Sequence, residues 1–234
     1  MIHLPDVTLI SVSSVLMRRT VSAMKISMED IRFGEALLLS HIKPKFMGKG
    51  IRFAEIPRIN NIDDYNKFMI YSCGQYIDTT HALIVQSDGY VLRPDMWRNE
   101  FLIYDFIGAP WPLSKDAYID PFGNSHQVGN GGFSLRSKRL MELPSQVDVP
   151  YQVNESDFYR HMNAGLLSED GNICVHNRHI FVEHGCVFAP LEVAGKFSRE
   201  LPISGINQSD TFGFHKYRRM GGRPKRANWL RCFL

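Results

Sequence analysis

A lone aspartate, an acidic pair, a histidine and a run of glycines are the residues of this chain best placed to do chemistry. Residues 81–92 read HALIVQSDGYVL. An apolar run passes through Gln86 and Ser87 and stops at Asp88-Gly89. A lone carboxylate is costly to bury unless it is paired or holds a metal. Asp88 is therefore expected at the open end of a strand, facing a ligand or a loop. Asp-Gly is also a common turn pair, so a plain turn stands beside that reading. Glu169-Asp170 is a paired carboxylate, and such a pair can supply a general base whose pKa is raised by its neighbour. A solvated acidic face is the plainer alternative. His215, in FGFH, can complete the oxygen-rich shell of a hard divalent cation begun by Asp88. A structural histidine is the alternative there.

The stretch VGNGGFSLRS (128–137) is the most unusual in the chain. Gly129, Gly131 and Gly132 allow close backbone approach to a ligand, and Asn130 adds a side-chain amide. Ser134 and a helix opening near Arg136 would add an anion or hydroxyl site. A hairpin turn feeding a helix is the competing reading. The stretch is not a Walker loop, because no Gly-Lys-Ser/Thr follows. It is not a dinucleotide fingerprint, because Gly-x-Gly-x-x-Gly is absent. Trp111 lies between Pro110 and Pro112. With Trp97 and Tyr104 it reads as core, or as an aromatic wall for a sugar's apolar face.

These residues need elements to position them. Asp6–Ser14 is an apolar, β-rich run of the kind a parallel sheet buries. A helix follows over 15–29, marked by Leu16, Val21, Met24 and Met28. A second strand spans 33–41, with Gly34 as the break before it. The basic loop KPKFMGKG (43–50) leads to a third strand over 51–59. A helix over 61–77 is capped at Asp63 and has an apolar face of Tyr65, Phe68, Met69 and Cys73. The fourth strand is 82–89. This order predicts a doubly wound sheet, whose ligands bind beyond the carboxyl ends of the strands. Residues 154–185 read as helical and 186–201 as a late strand and loop.

Bulk properties bound the answer. The chain has 234 residues, 44% hydrophobic and 22% charged, enough to bury a full α/β core. A formal charge of +3 is too small to imply nucleic acid by itself. Four scattered cysteines without Cys-x-x-Cys spacing argue against zinc, redox and disulfide frameworks. There is no signal-like N-terminus and no apolar run of about 18 residues, the length of a membrane span. A soluble, cytoplasmic protein is expected.

Together, VTLISVSSV, LLLSHIKP, YNKFMIYSCGQYIDTTHALIVQSDGYVL, WRNEFLIYDFIGAPWP, VGNGGFSLRS, APLEVAGKFS and FGFH resemble a glycosyltransferase-like family of bacterial and viral proteins catalogued as a domain of unknown function. The family is similar to the A-type (GT-A) glycosyltransferases. The resemblance implies a GT-A-like, Rossmann-like, mostly parallel sheet with helices on both faces and an irregular C-terminal half. Residues 1–217 would form this one domain and 218–234 a basic tail. The resemblance further implies a nucleotide-sugar donor, a UDP-sugar first, and a divalent metal, Mn²⁺ or Mg²⁺, on Asp88 and His215. Tyr90 stands where the family's fuller Asp-x-Asp signature has its second aspartate.

By the same resemblance, Ser11, Ser13, Gln86, Ser87, Asp88 and Gly89 would bind the donor. Trp111 and Gly129 to Gly132 would bind sugar and acceptor. Asp170, or Glu169 beside it, would be the base of an inverting transfer in surface-glycan assembly. Two alternatives stay open at this point. One is transfer to a hydroxymethylated DNA base, held by the basic tail (Arg218, Arg219, Arg223, Lys225 and Arg226) and the 43–50 loop. The other is a non-catalytic nucleotide-sugar-binding module. A nicotinamide oxidoreductase also suits such a sheet, but lacks its glycine fingerprint.

Overall fold

Alternation decides the central layer. Along β1 (Ile2–Val12), Val7 and Leu9 join one apolar cluster while Ile10 and Val12 join the other. β2 (Ile31–Ser40) divides Leu38 from Leu37 and Leu39 in the same way, and β4 (His81–Val85) divides Leu83 and Val85 from Ala82 and Ile84. Strands apolar on both faces are those that a parallel sheet buries between two layers. Each such Leu, Ile or Val contributes about 1.5–3 kcal/mol on burial.

The computed structural model describes residues 1–112, 118–151 and 168–216. Its main sheet has the order β3-β2-β1-β4-β7-β6, with β3 at Arg52–Glu55, β6 at Phe106–Gly108 and β7 at Phe133–Ser137. β1 runs parallel to β2 and β4, and β3 parallel to β2, whereas β7 lies antiparallel between β4 and β6. Helix α1 (Met17–Ser27) packs Val21 and Met24 on one face. Helix α2 (Ile62–Tyr71) packs Tyr65, Met69 and Ile70 on the other. The expected α/β class, with helices on both faces of a mostly parallel sheet, is the class observed.

Several expected boundaries move. Gly34 does not break β2 but lies within it, opposite a register shift in β1, where a Cβ would sit 2.1 Å from the Pro5 carbonyl oxygen. β3 is four residues, and β4 ends at Val85 rather than Gly89. The cap of α2 is Asn61, whose side chain accepts from the Asp64 N–H, and not Asp63; α2 stops at Tyr71 before a 3₁₀ turn at Cys73–Tyr76. Arg136 opens no helix. It lies in β7, and Ser137 caps α3 (Lys138–Glu142) by accepting from the Leu140 N–H. Ser134 is thus a buried strand residue and not part of a helix-end anion site. The expected late strand is mostly helix, Leu191–Phe197, entered at Pro190. Residues 154–167 of the expected long helix, and the basic tail beyond Lys216, lie outside the described residues.

A second sheet positions the chemistry. It has the order β5-β9-β8, with β5 at Tyr90–Val91, β8 at Ser198–Arg199 and β9 at Gly213–Phe214. β5 and β9 are antiparallel, which puts Asp88, just before β5, beside the residues just after β9. β8 and β9 are parallel, so Glu200 and His215 leave the sheet side by side.

Candidate functional site

The carboxyl ends of β1 and β4 open on a cleft of about 350 Å³. Ser13, Ser14, Asn60, Tyr65, Gln86 and Ser87 supply its polar lining, and Val15, Leu16, Ile59 and Ile62 much of its apolar wall. None of its lining residues is charged at neutral pH. Ser13 and Ser87, two of the residues expected at a donor site, line this cleft. Ser11 does not: its hydroxyl is fully buried and donates to the Val85 carbonyl at 2.7 Å, tying β1 to β4. The strand's end is the cause: Ser11 lies within β1, on the buried face that carries Leu9, while Ser13 lies beyond it.

Beyond the cleft the chain turns at Asp88, with the Gly89 N–H closing on the Gln86 carbonyl at 3.2 Å. Asp88 Oδ1 lies 3.5 Å from His215 Nε2. Gln86 Oε1 is 3.2 Å from the same nitrogen, and Gln86 Nε2 donates to the Tyr65 hydroxyl at 2.9 Å. The Lys216 N–H holds the Asp88 carbonyl at 3.2 Å, and the His215 N–H holds that of Arg199 at 3.0 Å. The hydrogen bond from His215 keeps the Asp88 carboxyl below its ordinary range, against the partial burial that works to raise it. On the ring's other side, Nδ1 lies 3.6 Å from Glu200 Oε1. It is buried, with no hydrogen-bond partner among the described residues. Burial pushes the Glu200 carboxyl up. Asn130 Nδ2 donates to the second oxygen of Glu200. Asn130 itself adopts φ 48°, a left-handed conformation that Asn tolerates better than most residues.

The glycines beside Asn130 are small because their neighbours are close. A Cβ on Gly132 would sit 2.1 Å from His215 Nε2, and one on Gly131 1.8 Å from Glu169 Oε1. Glu169 pairs with Arg136 at 2.7 Å, both side chains almost wholly buried. Burial and the neighbouring Asp170 push the Glu169 carboxyl up, against the pull of Arg136. Glu169 is thus a structural ion and not the expected base. Its partner in the acidic pair stays partly exposed: Asp170 Oδ2 accepts the Gly131 N–H at 2.7 Å, and Oδ1 accepts from Ser168 Oγ and from the Gly171 N–H. Trp111 is core. It stacks on Tyr118 at 4.7 Å, it occupies the space a Gly129 side chain would need, and only 7% of it is exposed. Little of the ring remains for a sugar.

Sequence reasoning missed Glu200, Arg136, Tyr65 and Tyr118. Arg136 carries a signal, a cation on an otherwise uncharged strand, FSLRS. Glu200 carries none, because its role exists only through the β8–β9 pairing.

Among the described residues no three His, Cys, Asp or Glu side chains converge as a metal cage. Asp88 and His215 do converge, and the unpartnered His215 Nδ1 faces a carboxylate. Metal-ligating imidazoles commonly give their second N–H to such a group. Asp88, half-exposed, and His215, buried, would be the residues to hold a divalent cation here.

The sequence profile of a family described as "Protein of unknown function (DUF5672)" matches residues 50–215. No curated protein matches the chain. Among solved structures, that of an active-site mutant of LgtC superposes with a TM-score of 0.51 at 12% identity, covering 96% of this chain and 93% of that one. The structure of the galactosyltransferase LgtC in complex with donor and acceptor sugar analogs gives 0.48 at 12% identity, covering 89% and 86%. At such identity the likeness to the mutant structure shows the fold alone, which is that of the GT-A glycosyltransferases.

Proposed function

The chain belongs to the family described as "Protein of unknown function (DUF5672)", and we propose that it is a glycosyltransferase moving a sugar from a nucleoside-diphosphate sugar, a UDP-sugar first, to a hydroxyl acceptor. One observation carries this reading. An uncharged cleft at the strand ends, lined by hydroxyls and amides, reaches Gln86 and Ser87, and Gln86 also contacts His215 of the Asp88–His215 pair. A nucleoside suits the cleft and a diphosphate with its cation the pair.

In this reading Ser13, Ser87 and the Asn60 amide bind base and ribose. Gln86 lines the cleft and also contacts His215, so it aligns the nucleoside with the diphosphate. Asp88 and His215 would hold Mn²⁺ or Mg²⁺, which when bound neutralises charge developing on the leaving diphosphate. Gly131, whose N–H Asp170 accepts, and Gly132, which leaves room for His215, position the acting groups rather than the sugar. The acceptor oxygen bonds to the anomeric carbon as the bond from that carbon to the diphosphate oxygen breaks. Asp170 takes the acceptor's proton through a lone pair left by its three donors. With a carboxylate acting only as base, the anomeric carbon inverts, which NMR of the first-formed product reads directly.

The test is a thermal-shift panel of UDP, GDP, CMP, ADP and NAD, each with and without Mn²⁺, on wild type and Asp88→Ala. A ligand selective for the folded state raises the melting temperature by mass action. The expected result is a manganese-dependent shift with one diphosphate, absent in Asp88→Ala. A flat panel would remove the donor site and leave a binding module that has lost it.

A further inference from the structure

One surface next to the cleft is not used by the proposed reaction. The loop 43–50 after β2 folds down on α1. Met47 is buried in the core beneath it, while Phe46 stays on top, 37% exposed. Arg18 of α1 lies over the Phe46 ring at 4.8 Å, and Lys25 Nζ donates to the Phe46 carbonyl at 3.1 Å. Arg18 and Lys25 are seven residues apart, two turns along one helix face. Lys43, Lys45 and Lys49 are exposed on the same loop. None of these five cations has an ion-pair partner among the described residues. Glu29 and Asp30 follow the C-terminal end of α1.

Apolar side chains continue this basic surface toward the cleft. Ile42 is 60% exposed. Its neighbour His41 bonds Ser14 Oγ at 3.1 Å, which brings the end of β2 against the β1–α1 turn. That turn carries Val15 and Leu16, 64% and 56% exposed, on the rim of the cleft. The result is an apolar strip bordered by five unpaired cations.

We infer that this face, α1 with the 42–49 loop, docks on an anionic phospholipid surface. Clustered Lys and Arg beside apolar side chains are attracted by anionic headgroups while the apolar groups enter the headgroup boundary. Phosphate contacts alone would also suit a nucleic acid, but the exposed aliphatic Ile42, Val15 and Leu16 add nothing to contacts with a phosphate backbone, whereas they can enter a headgroup boundary. No described helix is long and apolar enough to cross a membrane, so attachment would be peripheral and reversible. Docked this way, the cleft opens at the membrane surface. Vesicle binding needs no nucleotide, so it stands or falls separately from the glycosyltransferase reading.

The test is flotation of the full chain with vesicles of phosphatidylcholine alone or with about a third phosphatidylglycerol, at low and high salt. Binding is expected only to the anionic vesicles and is lost in high salt. Replacing Lys43, Lys45 and Lys49 together by Gln should weaken partitioning on the order of 100-fold, since each near-surface cation contributes roughly fivefold. Ile42→Gln, which leaves the charge unchanged, should weaken it at low salt without changing retention on a DNA oligonucleotide. All four positions are exposed, and an unchanged melting temperature shows that the variants fold. The proposal is overturned by no flotation of wild type at low salt. It is overturned equally if the triple variant floats like wild type, which would assign binding to other cations of the chain. A DNA affinity that falls with the three lysines while Ile42→Gln leaves flotation unchanged would identify the face as a nucleic-acid surface instead.

Discussion

Gly132→Ala isolates the contact on which the site's geometry depends. The backbone at Gly132 does not have positive φ, so alanine brings no dihedral strain. The whole effect is steric. The new Cβ would lie 2.1 Å from His215 Nε2 and 2.3 Å from both flanking ring carbons, where ordinary contact begins at 3.4 Å. The imidazole must withdraw by about 1.3 Å, and it is buried against Glu200 and the Arg199 backbone. Overpacking of this kind costs about 1–3 kcal/mol. For a domain of this size that lowers Tm by roughly 2–4 °C per kcal/mol. A displacement near 1 Å at a reacting centre is worth about 100-fold in rate. The assay is urea denaturation of wild type, Gly132→Ala, His215→Ala and the double variant, with the manganese–nucleotide thermal shift measured on each. His215→Ala removes the ring that the methyl strikes, so the double variant should recover the cost of the methyl, a coupling of about 1–3 kcal/mol. Additive effects, or a Gly132→Ala protein that melts and responds to nucleotide like wild type, would refute the contact.

Other outcomes follow from neighbouring groups. Arg136→Met leaves Glu169 buried without its partner and should cost about 3–5 kcal/mol in urea titration, whereas adding Glu169→Leu should return most of it. Glu200→Leu removes the carboxylate facing His215 Nδ1. It should weaken Mn²⁺ binding about 10–100-fold by EPR in the presence of nucleoside diphosphate, with Glu200→Gln intermediate. Asp105 is buried, which works to raise its carboxyl. Hydrogen bonds from Arg139, Ser137 and the Val187 N–H outweigh burial and hold it below the ordinary range. Its contribution is therefore complete above the unfolded carboxylate value, about 3.9, and is lost as pH falls through the lower folded value. Asp105→Asn should accordingly destabilise at neutral pH and flatten the acid limb of a stability–pH curve.

The central sheet was legible in the residues. β1, β2 and β4 are apolar at successive positions, a pattern with few solutions other than burial on both faces, and α1 and α2 show helical spacing between them. A carboxylate after such a strand had to leave the core, which located Asp88 before any coordinates. The short elements were not legible. β5, β8 and β9 have two residues each and carry no period. Their pairing alone puts Glu200 and Asp88 on either side of His215. The acidic pair at 169–170 could not be divided by sequence. Tertiary packing buries Glu169 on Arg136, 33 residues away, and leaves its neighbour partly exposed. Gly131 and Gly132 were visible as glycines, but the reason for them was not, because it consists of side chains brought from Glu169 and His215. Local pattern thus determined which strands form and where the chain must emerge from the core. Long-range apposition, which no local period encodes, decided which of the emerging groups meet.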